Sequence, residues 1–324
     1  MITNILILAL LYTFYRVFLG VYRVAFHPLA KFPGPRAAAL SNAWQYALQK
    51  RGRGEIEFEK LHREYGTKAL RIGPNEIHIT DPSLYKVIYN QKALYLKDSH
   101  FYKGFNVHNV FSIINPQQHK ERRRLLNPFF SKAGIFKAEG MIADKVAQLK
   151  KKIELLSTPE RNHPINASNA FRCLTIDMIT HYAFAESWTL IEKSDDDFYA
   201  PILVGMDVAT EGFWDFVYLP WVRVLAALIP RSALSIFNKD AAKFLWLLDL
   251  GKSSYEAFKK GVSHETPVIF DALSAAVPEE KQILDEASGL VIAGSDTEVV
   301  WHCEPTNRRL EKLPEYFPEL FKAL

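Results

Sequence analysis

The sequence predicts a mainly α fold with a small β element near its N-terminus. Apolar residues recur at helical spacing through most of the chain from about Pro116 onward. The strand signal is confined to two short runs, Ala69 to Ile72 and Glu76 to Thr80, with the turn signal Gly73-Pro74-Asn75 between them. No internal repeat or low-complexity segment interrupts this pattern.

The first element is an anchor. Met1 to Tyr15 (MITNILILALLYTFY) holds no charged side chain, and Arg16 precedes a second apolar stretch, VFLGVY. The uncharged run is shorter than the roughly 20 residues a membrane span needs, but a long arginine side chain near its end can snorkel to the interface. Tyr12, Tyr15 and Tyr22 suit an interfacial belt. A cleaved signal peptide carries its basic residues in front, whereas here Arg16, Arg23, Lys31 and Arg36 follow the apolar run. Residues 1–23 are therefore expected to be a single-pass anchor, with the body held on the cytoplasmic side by the positive flank. Residues 24–36 contain FHPLAKFPGPR, whose prolines Pro28, Pro33 and Pro35 cannot continue a helix. They make a stiff hinge.

The body follows in order. Glu55 to Tyr65 reads as a short amphipathic helix stopped by Gly66, then the hairpin, then Asp81-Pro82 as the cap and first position of another helix. Helices are predicted to begin at His119 to Leu126 and to run over Ile135 to Leu156, Ala167 to Phe184 with Asn166 or Ser168 as cap, Ala241 to Lys260 and Glu279 to Val300. The segment Asp196 to Ile229 is aromatic and apolar, with breaks.

Composition excludes several function classes. Apolar residues make up 48% of the 324 residues and aromatics 13%, so the chain folds and can hold an apolar interior. A net charge of +4 from 40 basic and 36 acidic residues is not that of a dedicated nucleic-acid binder. Two cysteines, Cys173 and Cys303, do not make a disulfide framework. Cys173 reads as a small core side chain. His302 and Cys303 are adjacent and face different ways on a helix, so no metal site is expected there.

Two motifs carry possible chemistry. In HKERRR, His119 and Arg123 are four apart and share a helix face, offering an imidazole and a guanidinium to one anionic group. A solvated basic face explains the same pattern. In AGSDT, Ala293 and Gly294 are small residues in a helix, which allow something bulky and flat to approach the backbone. The acid and alcohol that follow, Asp296 and Thr297, can relay protons into a closed pocket. The same five residues also suit a helix end.

The order of the anchor, FHPLAKFPGPR, YGTKALRIGPNEIHITDP, HKERRRLLNPFFS and EASGLVIAGSDT resembles the microsomal haem-thiolate monooxygenases, the cytochrome P450 family, of a fungal secondary-metabolism type. The resemblance implies an incomplete cytochrome P450 fold over residues 37–297, from the N-terminal part through the long oxygen-site helix, and a divergent tail over 298–324. It implies that Arg123 and His119 bind a haem propionate, that Ala293 and Gly294 border the oxygen site, and that Asp296 and Thr297 deliver protons there. The loop from Asp98 to Pro116 would cover the substrate pocket and Asp196 to Ile229 would line its roof. The implied partners are an apolar small molecule, an NADPH-dependent reductase and the endoplasmic reticulum membrane. The family's later Glu-x-x-Arg helix is missing, Glu121 to Arg124 fitting that pattern only by accident inside a different helix, and its Cys loop, Phe-x-x-Gly-x-Arg-x-Cys-x-Gly, is absent. The chain is therefore expected to be truncated before the haem-binding cysteine and inactive as it stands. The alternative is a non-catalytic, membrane-bound binding or decoy protein.

Overall fold

The computed structural model describes residues 2–303, apart from 91–94, 106, 159–163, 231–232, 234–238 and 262–266. The observed elements are mainly helices, with one two-stranded antiparallel sheet among the described residues. The chain divides into two compact units, residues 1–97 with 211–226, and residues 98–210 with the chain from 227 on.

In the first unit, helix α1 (Ile2–Val21) is exposed along its length. The stretch Thr3–Phe26 is long and apolar enough to cross a membrane, with a mean hydropathy of 1.9 and none of it buried, and is compatible with an anchor. Helices α2 (Ala43–Lys50) and α3 (Gly54–Tyr65) follow. Gly66 ends α3 at φ 59°, a left-handed cap that a side chain would strain. Strands β1 (Ala69–Arg71) and β2 (Ile77–Ile79) pair in register Leu70 to His78. Phe58 and Leu61 of α3 bury against Leu70 and Ile72 to make a small core.

The hinge is riveted to this hairpin by Arg71. Its guanidinium is buried and donates to the carbonyls of Gly73 (3.2 Å), Pro74 (2.9 Å) and Arg23 (2.7 Å). Its backbone N–H donates to the Pro33 carbonyl at 2.8 Å. A β-carbon on Gly34 would overlap the Arg71 carbonyl, so this position requires glycine. Asp81 caps the next turn, Pro82–Leu84, by accepting the Ser83 N–H at 3.0 Å.

A histidine pair joins α3 to β2. His62 Nδ1 lies 2.7 Å from the Thr67 carbonyl, and its Nε2 lies 2.9 Å from His78 Nδ1. A carbonyl only accepts, so His62 carries its proton on Nδ1 and His78 donates to His62 Nε2. Burial pushes the His78 imidazole below its ordinary value of 6.5, although Glu55 opposes this. A depressed base is protonated first in the unfolded chain, so folding stability falls as pH drops below 6.5 and levels off below the folded value. Thermal unfolding at stepped pH should show this loss, and His78→Asn should flatten it.

The second unit contains helices α4 (Pro116–Leu126) and α5 (Glu139–Leu156). Helix α6 (Ala167–Phe184) follows, and α7 (Pro201–Tyr218) begins here, its last turns belonging to the first unit. Helix α8 (Pro220–Leu228) lies in the first unit up to residue 226, and the second unit continues with α9 (Lys239–Lys259), α10 (Ile269–Ala276) and α11 (Glu280–Cys303). Helix α6 starts where the sequence predicts, with Asn166 accepting the Asn169 N–H at 3.0 Å. The predicted helix Ile135 to Leu156 is two helices: Lys132–Lys137 stops where the Ala138 N–H turns back to the Ile135 carbonyl, three residues earlier, and α5 starts afresh.

The core of this unit lies where α6 packs against α11 and α10. Ile176, Ala183, Leu273, Ala287 and Val291 are fully buried, and Phe184 stacks on Phe270 with ring centroids 4.6 Å apart. Cys173 is in this core, as the sequence suggests. Asp177, also fully buried on α6, accepts the N–H groups of Leu190 (2.7 Å) and Ile191 (2.9 Å), fixing the start of the short helix Leu190–Lys193.

Candidate functional site

Helix α4 begins at Pro116 because Asn115 caps it, accepting the N–H groups of Gln117 (2.9 Å) and Gln118 (3.1 Å). That fixes the phase of HKERRR. His119 is half-buried and Arg123, one turn on, is exposed. The two share a helix face, and both sit where an anionic group could reach them.

The arginine between them does something different. Arg122 turns inward and pairs with Glu286 of α11, Nη1 to Oε2 at 2.8 Å, while Nη2 donates to Gln282 Oε1 at 2.8 Å. Both members of the pair are buried, with side-chain exposures of 8% and 1%. Glu286 also accepts the Val110 backbone N–H, at 3.1 and 3.0 Å to its two oxygens. Burial pushes the Glu286 carboxyl above the ordinary carboxylate value; the Val110 N–H and Arg122 act in the opposite sense.

Helix α11 explains this arrangement by its period. Ile283, Glu286, Ala287, Leu290, Val291 and Gly294 fall on one stripe, and its members from Ile283 to Val291 are buried. Gly294 belongs to that stripe, so its open side faces Ile179 of α6, which lies 3.2 Å from where a β-carbon would sit. The absence of a side chain at Gly294 lets α6 approach closely at this point. Ala293 lies on the exposed side beside Ile292, which is 41% exposed. Asp296 and Thr297 continue the helical backbone, but their side chains lie outside the described residues.

Sequence reasoning missed Arg122, Glu286 and Asp177. Glu286 had a signal: a carboxylate on an otherwise apolar stripe demands a buried partner.

A haem of the thiolate type needs propionate donors, an open face for oxygen and an axial sulfur. Arg123 and His119 have the right donor chemistry for the first, and the Ile292–Ala293 face is open for the second. Cys173 does not fit the third. Its thiol is buried, donates to the Phe198 carbonyl at 3.6 Å, and is pushed up to about 12 by desolvation. Among the described residues no group of three or more His, Cys, Asp or Glu side chains could hold a metal ion. Among the described residues, His119 and Arg123 thus offer donors for an anionic group, and Cys173 is not placed to hold iron.

Residues 33–297 match the family model for cytochrome P450. Cytochrome P450 monooxygenase aneF of Aspergillus aculeatus is 27% identical over 85% of this chain and 58% of its own length. Cytochrome P450 monooxygenase cloA of Claviceps purpurea is 31% identical over 69% of this chain and 43% of its own. Cytochrome P450 monooxygenase phqM of Penicillium fellutanum is 30% identical, over 63% of this chain and 38% of its own length. The chain thus spans between about two fifths and three fifths of these relatives. The family model covers more than half of the sequence in one continuous match, and the chain belongs to the cytochrome P450 family.

Proposed function

We propose that this chain supplies the propionate-binding and oxygen-side part of a membrane-anchored fungal monooxygenase that oxidises an apolar small molecule in secondary metabolism. In the intact family, haem provides the oxygen chemistry. Arg123 and His119 hold a propionate, Ala293 borders the oxygen site, and Asp296 and Thr297 hold the proton delivered there. Helix α1 anchors the protein in the endoplasmic reticulum membrane with its body in the cytosol, where an NADPH-dependent reductase supplies electrons. Cys173, locked in the core, is not the iron ligand of this site.

The observation that carries the reading is the phase of α4. It leaves Arg123 at the surface while the neighbouring Arg122 is consumed by Glu286. A chimera tests it: residues 1–297 joined to the remaining C-terminal part of the aneF relative, loaded with haem in microsomes. Arg123→Ala should lower retained haem about five- to tenfold, the loss of one charge-assisted bidentate contact. Arg124→Ala should leave it unchanged. Equal effects of the two substitutions count against the reading.

A further inference from the structure

The residues 107–112 ahead of α4 are held on α11 by two adjacent carboxylates. His108 N–H donates to Asp285 Oδ2 at 2.9 Å, and Val110 N–H to both oxygens of Glu286. The side chain between them closes the set: Asn109 Nδ2 donates to the Asp285 carbonyl at 3.2 Å, and Asn109 is itself 4% exposed. A glycine makes room for it. A β-carbon at Gly289, one turn beyond Asp285, would overlap the Asn109 amide. Arg122 then neutralises Glu286 from α4, the helix that the same segment leads into.

Stability alone is a poor reason for this cluster. Replacing a buried ion pair with apolar residues of similar volume is often neutral or stabilising. Backbone N–H groups bonded by buried carboxylates, by contrast, fix the loop in position and direction. The fixed loop carries Phe111, whose ring lies 4.9 Å from that of Phe105 and 5.3 Å from that of Tyr102, with half of its surface exposed.

We propose that Glu286 and Arg122, with Asn109 seated over Gly289, form a latch that positions the 107–112 loop and so sets where its aromatic wall, led by Phe111, meets the substrate. Glu286 and Arg122 are positioning residues. The substrate part rests on the proposed function; the latch itself does not.

Hydrogen exchange on the full chain in detergent micelles, followed by mass spectrometry, tests the latch without haem. In the wild type the amides of 107–112 should be protected. In Glu286→Gln and in Gly289→Ala they should exchange faster by about tenfold or more, the expected loss when a hydrogen bond to a charged group is broken. The amides of α6 should speed up by a clearly smaller factor than those of the loop. Gly140→Ala, at a helical glycine with open space around it, should change neither. The latch is overturned if both variants leave the loop at wild-type rates, or if they speed the loop and α6 by the same factor, as a merely structural pair would. If Glu286→Gln does not fold, Gly289→Ala decides, since it keeps the ion pair. Failure of the haem chimera with a positive exchange result would leave the latch standing and remove only its link to a substrate.

Discussion

Arg122→Met should destabilise the second unit by about 3–5 kcal/mol, the usual cost of leaving a buried charge without its partner. Glu286 is 1% exposed at its side chain and would keep the Val110 N–H while losing the cation that balances it. Gln282 would lose its donor as well. The double variant Arg122→Met with Glu286→Leu should recover part of that loss, because the buried charge is then gone from both sides while the Val110 N–H loses its acceptor. Chemical denaturation of the full chain in micelles, followed by helical circular dichroism, gives the four corners of the cycle. Additive losses in the double variant would show that the two groups do not depend on one another.

Asp177→Ala should cost about as much, roughly 2–6 kcal/mol, since two buried N–H groups lose their acceptor and each is worth about 1–3 kcal/mol when orphaned. Burial pushes the Asp177 carboxyl up, and the N–H groups of Ile191 and Leu190 pull it down. Asp177→Asn should recover little. Its amide keeps one acceptor oxygen and turns an NH2 donor toward the other N–H, where a donor is already waiting. The effect should be read in the same denaturation experiment, with α6 and the Leu190–Lys193 turn unfolding earlier. An Asn variant as stable as wild type would mean that the turn does not need the second bond.

Much of the fold was legible because it is local. Helix α6 followed from its cap, Asn166, and from apolar spacing; the hairpin followed from Gly73-Pro74-Asn75; the end of α3 followed from Gly66. The break at Ala138 was not, since one alanine in 3-10 geometry leaves no compositional trace. The site was legible in part. His119 and Arg123 could be placed on one face from spacing alone, but three consecutive arginines cannot be sorted into inward and outward until Asn115 fixes the helix phase. At Gly294 a small residue shows that something approaches and does not show what; the neighbour in the structure is Ile179. The partners of Glu286 and Asp177 are distant in sequence, so no local pattern names them.

On the function proposed above, this chain carries the propionate and oxygen sides of a cytochrome P450 site while its core cysteine is no iron ligand. The reduced, CO-bound difference spectrum of the 324-residue chain, purified with haem present, tests that most directly. No thiolate-type Soret band that depends on Cys173 is expected, because Cys173 is buried against the Phe198 carbonyl and holds its proton. A thiolate-type band that is lost in Cys173→Ser would contradict this expectation.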